Sequence, residues 1–204
     1  MAAVSLGAVL LPFPSLLSRG DSKKSALLPP APLSPFYLPP SDAPLEGGPV
    51  GLNIRTLIRS AQTNGQFSCV ETYIAPMQMG PAPHVHKKLD ELMYVTEGTV
   101  SWMIGDKVYE VMAGGWIFRP HGITHTFWNA TGKPARAVDM FFHQNLEDYL
   151  ETLFFQIFAD MIKNHLKPDD PDISRRMEAL NRAFGIRMFP ERRQVIADRY
   201  GLHA

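Results

Sequence analysis

The sequence predicts an all-β barrel or double-sheet domain, with a proline-rich amino-terminal arm and a helical carboxy-terminal extension. Three observations carry that expectation. Between Leu52 and about Phe142, short apolar segments alternate with turn residues, the pattern of a closed or sandwiched β structure. Ten of the eighteen prolines precede position 51, where they remove the backbone donors that helices and inner strands use. After His143 the apolar residues change to helical spacing. The boundaries fall at 1–50, 51–143 and 144–204.

The arm has two parts. "MAAVSLGAVLLPFPSLL" is apolar, but Pro12 and Pro14 interrupt it, so no membrane span is expected. Arg19 is its first positive charge, so the run resembles the back half of an export signal without a basic front. Cytoplasmic and exported locations both stay open. "LLPPAPLSPFYLPPSDAPLEGGP" reads as an extended polyproline-like segment, with Phe36, Tyr37 and Leu38 as its contact residues.

Eight strands are expected in the middle region: "LNIRTLI", "SCVETYI", "ELMYV", "TVSWMI", "KVYEVM", "GWIF", "HTFWN" and "ARAVDMFF". Gly105-Asp106 fits a two-residue hairpin turn that needs positive φ at its first position. In the extension, Leu146, Leu150, Leu153, Phe154, Ile157, Phe158, Met161 and Ile162 share one helical face. Asp170-Pro171 reads as the cap and first turn of a second helix that ends at Gly185. Pro190 to Arg199 forms a third, with Gly201 as its stop.

Twenty basic and twenty acidic residues cancel, which removes the electrostatic reason to expect a nucleic-acid or anionic-membrane partner. The extension holds nine Lys or Arg against ten Asp or Glu, so it offers no basic DNA-reading face. Cys69 stands alone, so no internal disulfide forms, and it reads as a small buried hydrophobe.

"HVHKKLDELMYVTEG" carries the chemistry. In a strand, His84 and His86 project to one face with Cα atoms about 7 Å apart. Glu91 follows five positions later, and His125 opens a later strand. Three nitrogens and one oxygen suit a divalent transition metal such as Fe, Mn, Ni, Cu or Zn. A single strand histidine is more often only hydrogen-bonded, and the pair alone does not decide the matter.

"GGWIFRPHGITHTFWN" adds a second motif. His84, His86, Glu91 and Gly98 together with Gly114, Pro120, Gly122, His125 and Asn129 give the chain a resemblance to the cupin superfamily, in particular to small single-domain cupins of the quercetin-dioxygenase-like kind. Gly80 departs from the pattern, standing four residues before the first histidine rather than six. The resemblance covers roughly residues 50–143. It implies a double-stranded β-helix, or jelly roll, with His84, His86, Glu91 and His125 converging on one metal. It also implies a second role for Glu91, as a base toward a substrate hydroxyl, which requires a carboxyl raised by desolvation.

Strand parity assigns Met93 and Phe127 to the pocket, and Met77, Met79, Met140 and Phe142 are added as its remaining apolar lining. Such a pocket suits a small phenolic or enolic molecule, and no cluster of Lys or Arg at these positions favours a sugar phosphate. The expected function is a metal-dependent, dioxygenase-like oxidoreductase. A non-catalytic small-molecule-binding cupin and a metal-dependent isomerase or lyase are the rivals. His121 reads as a rim residue, and Asp90 faces away from Glu91. Leu92 and Tyr94 need a cover, and a homodimer is the expected way to supply it.

Overall fold

The protein's structure, a computed structural model, describes residues 32–41, 43, 45–47 and 51–203. The signal-like run therefore lies outside the described residues. The strands are β1 (Glu46–Gly47), β2 (Leu52–Ile58), β3 (Phe67–Ile74), β4 (Gln78–Met79), β5 (His84–His86) and β6 (Asp90–Glu97). They continue with β7 (Thr99–Ile104), β8 (Lys107–Met112), β9 (Trp116–Arg119), β10 (His125–Asn129), β11 (Ala135–Phe142) and β12 (Ile186–Met188). All eight expected segments are strands.

Two antiparallel sheets result, consistent with the double-stranded β-helix of a cupin. The first runs β1-β2-β3-β11-β6-β9, and the second β12-β5-β10-β7-β8, with β4 also paired to β10. Alternation along each strand sets the core. Val70, Ile74, Met93, Val95, Ala137 and Phe141 project inward from the first sheet, and Val100 and Trp102 meet them from the second. Each large apolar side chain buried this way contributes ~1.5–3 kcal/mol. Gly105 adopts φ 58° in the turn between β7 and β8, as that hairpin requires.

The extension is built into the barrel. Leu146, Tyr149 and Phe154 join the main core. The expected first helix is interrupted: α1 (Leu146–Thr152) passes through a π-helical turn, Leu153–Phe158, into α2 (Ala159–Asn164). Buried Glu147 ties α1 to the short turn after β2, accepting from the Ser60 amide at 2.8 Å and its hydroxyl at 2.6 Å. Helix α3 (Pro171–Phe184) starts where expected, its Asp170 side chain accepting from the Asp172 amide, and ends at Gly185 with φ 65°. Helix α4 (Arg193–Tyr200) covers the outer face of the second sheet, where Met79, Trp128 and Ile196 form a separate cluster.

Arm residues 32–40 hold no helix or strand and are exposed, with Tyr37 82% accessible. Phe36, Tyr37 and Leu38 are thus exposed rather than packed. Among the described residues no helix is long and apolar enough to cross a membrane.

Candidate metal centre

Strands β5 and β10 lie side by side with His84 opposite His125, and alternation brings His86 to the same face. The ring centroids are 5.0 Å (His84–His86), 4.5 Å (His84–His125) and 5.4 Å (His86–His125) apart. One nitrogen from each ring lies within 4.8 Å of the others. Gly80 enables this neighbourhood. Its amide donates to the Phe127 carbonyl at 3.0 Å, and a Cβ there would stand 2.4 Å from that oxygen. Only glycine allows β10 so close.

The hydrogen bonds fix the imidazoles for ligation. His84 Nδ1 lies 2.9 Å from the Ala82 carbonyl and His125 Nδ1 3.0 Å from that of Ile123. A carbonyl only accepts, so each Nδ1 carries a proton and Nε2 is the atom left to face the other rings. Both nitrogens of His86 are buried without a hydrogen-bond partner, and buried His125 Nε2 faces Glu91 Oε2. Burial, reinforced by the neighbouring imidazoles, lowers His84 to about 3. Burial likewise lowers His86 to about 4, against the pull of Glu91. Both are neutral at pH 7. Three imidazoles converging with one nitrogen each fit a divalent transition metal, so His84, His86 and His125 could hold one.

Glu91 stands beside this triad, 5% exposed. Its Oε2 is 2.7 Å from His125 Nε2 and 3.7 Å from His86 Nε2. The same oxygen accepts from Arg119 Nε at 3.3 Å. Arg119, directly opposite Glu91 across the β6–β9 ladder, is 1% exposed. Its Nη2 donates to Asp139 Oδ1 at 2.7 Å, and its guanidinium carbon lies 4.0 Å from the centroid of the Trp102 ring. Burial pushes Glu91 up, but Arg119, His125 and His86 together outweigh it and hold the carboxyl well below the usual range. The raised basicity expected of a proton-accepting Glu91 is therefore absent. For Asp139 burial wins over Arg119, and its carboxyl rises to about 6.

Of the expected lining residues, Met93 and Phe127 belong to the apolar interior of the barrel. Met93 is fully buried beside Asp139 and Ile117, and the Phe127 ring is 4.9 Å from that of Trp102. Four assignments are corrected. On β11 the inward residues are Ala137, Asp139 and Phe141, which leaves Met140 and Phe142 on the opposite face. Bulk suggested the reverse parity, but the charge on Arg119 draws Asp139 inside. Met79 sits with Trp128 and Ile196, on the other side of the second sheet from His125. Met77 occupies a turn with φ 54° and bonds through its backbone to Thr131 and His203.

Sequence reasoning missed Arg119 and Asp139. The available signal was the alternation Ile117, Arg119 along β9, which places a cation where Glu91's face needs one. His121 lies on the rim, its Nδ1 2.7 Å from Asp90 Oδ1. Asn129 is a buried turn anchor: its side chain donates to the Lys133 carbonyl at 2.7 Å and accepts from the Thr131 amide at 2.9 Å. Cys69 is buried, and desolvation pushes its thiol up to about 11.

Residues 70–141 match the family model described as Cupin domain. No curated protein sequence matches the chain. Solved structures similar to it include KdgF from Halomonas sp., with 16% identity, 48% of this chain and 84% of that chain covered, and a TM-score of 0.43. The polyketide cyclase RemF from Streptomyces resistomycificus gives 23% identity, 50% and 79% coverage and a TM-score of 0.42. A predicted oxalate decarboxylase from Thermotoga maritima gives 17%, 45%, 79% and 0.42 in the same order. The fold assignment rests on the sheet order and the matched family range, and no activity is carried over from these structures.

Proposed function

We propose that this cupin is a metal-dependent oxidoreductase of the dioxygenase kind, acting on a small phenolic or enolic compound. The observation that supports the metal is the convergence of His84, His86 and His125, with one nitrogen of each ring within 4.8 Å of the others and both His86 nitrogens buried without a partner. A divalent ion there would supply Lewis acidity toward a phenol or enol oxygen and, when redox-active, electrons for dioxygen. The protein's own groups do the rest. The Ala82 and Ile123 carbonyls orient the imidazoles, while Met93, Phe127 and Trp102 present an apolar wall suited to a ring. Glu91 is assigned to the fourth ligand position, and its low-lying carboxyl argues against the role of base.

A non-catalytic small-molecule-binding cupin is the second reading. It draws support from that same weak basicity, because Glu91 is then poorly suited to take a substrate proton. The two readings separate in one experiment, in which metal-reconstituted protein is offered flavonols, catechols and β-diketones in an oxygen electrode. Oxygen uptake that disappears on chelation supports the dioxygenase. Ligand binding by calorimetry without uptake or product supports the binding protein, and anaerobic product formation supports an isomerase or lyase. We also propose a homodimer, because Trp116 and Phe118 on edge strand β9 are 55% and 53% exposed, beside partly buried Tyr94 and Leu92.

A further inference from the structure

Arg119 is the buried cation that the metal reading leaves unused. Placing a guanidinium inside a barrel costs several kcal/mol unless it is paired and hydrogen-bonded. Here two of the three guanidinium nitrogens are paired, and Nη1 is buried without a hydrogen-bond partner. Nε donates to Glu91 Oε2, Nη2 donates to Asp139 Oδ1, and the planar face rests on Trp102. The strand register makes the arrangement inevitable once the sheet forms, since Glu91 faces Arg119 on one ladder and Asp139 faces Met93 on the next. The oxygen that Arg119 grips is also the one facing His125 and His86.

We propose that Arg119, anchored by Asp139 and Trp102, is a positioning residue that fixes the Glu91 carboxylate in the orientation from which it completes the three-histidine site. The inference rests on the metal reading above and adds to it the group that sets the fourth ligand. A carboxylate on a two-carbon stem has several rotamers, and ordering such a chain costs conformational entropy. A fixed donor aimed at one oxygen removes that freedom before any ion arrives. The fork is essential, because a lysine carries the same charge but cannot hold Glu91 and Asp139 in this geometry at once.

Cobalt(II) titration followed by visible absorption tests this on the full chain, comparing the unmodified protein with Glu91→Gln, Arg119→Lys and the double variant Arg119→Met/Asp139→Asn. Arg119→Lys keeps the buried charge, and the double variant removes the pair together, so at least one is expected to fold. The unmodified protein is expected to bind one cobalt per chain, and Glu91→Gln to shift the bands. The Arg119 variants should shift toward the Glu91→Gln spectrum while still binding one cobalt on the histidines. Their affinity should fall ~10-fold, the low end for partners that orient a ligand.

Three outcomes overturn the proposal. If both Arg119 variants keep the original spectrum and affinity, whatever their melting temperature, Arg119 is only structural. If Glu91→Gln leaves the bands unchanged, Glu91 is not a ligand, and the inference fails while the metal reading stands. If the unmodified protein binds no cobalt, both fail together.

Discussion

His84 and His125 are each oriented by a backbone carbonyl that accepts from Nδ1. Proton release on metal binding is therefore expected to be small at pH 7, since burial already holds His84 and His86 neutral. Glu147 gives a second prediction at this scale. Burial pushes it up, but the hydrogen bonds from the Ser60 hydroxyl and amide help to bring it on balance below its ordinary value of 4.5. A folded carboxyl below its unfolded value stabilises the protein above the unfolded value, and that gain is lost as pH falls through the folded one. Stability measured by urea denaturation should thus drop as pH falls below about 4.5, and Glu147→Gln should flatten the drop. The triad was legible because residues two apart share a face and the motif spacing supplied His125. Arg119 and Asp139 were not, because each takes its meaning from partners 20 or 28 positions away.

At the scale of elements, β12 has the largest consequence for the site. It pairs with β5, setting Ile186 opposite His86 and Met188 opposite His84, and so gives the histidine strand its second neighbour. Truncation after Phe184 should lower the melting temperature and weaken metal binding, as measured by scanning calorimetry and metal titration. Unchanged affinity in a folded truncation would show that β10 alone positions the histidines. The cap of α3 is a smaller, independent case: Asp170→Ala should cost ~1 kcal/mol in chemical denaturation. The α3 ends were legible because a cap, a first-turn proline and a terminal glycine are local signals. A three-residue strand such as β12 carries no periodicity of its own and is defined only by β5. The π turn at Leu153–Phe158 was hidden for a related reason, since the apolar stripe continues across it.

At the scale of the molecule, two antiparallel sheets enclose the triad while the outer edge of the first sheet keeps Trp116 and Phe118 exposed. Sedimentation should show a dimer at micromolar concentration, and Trp116→Glu with Phe118→Glu should shift it to monomer without loss of metal. A monomer at that concentration in the unmodified protein would remove the proposed interface. The barrel was legible as a whole because eight segments carried strand chemistry between turn residues, whereas the inward face of β11 depended on a buried charge. Elemental analysis of protein purified without added metal, beside the His84→Ala/His86→Ala/His125→Ala variant, tests most directly whether three imidazoles gather around one cation. One transition-metal ion per chain is expected in the first and none in the second; no metal in the first, or equal metal in both, would contradict a metal held by these histidines.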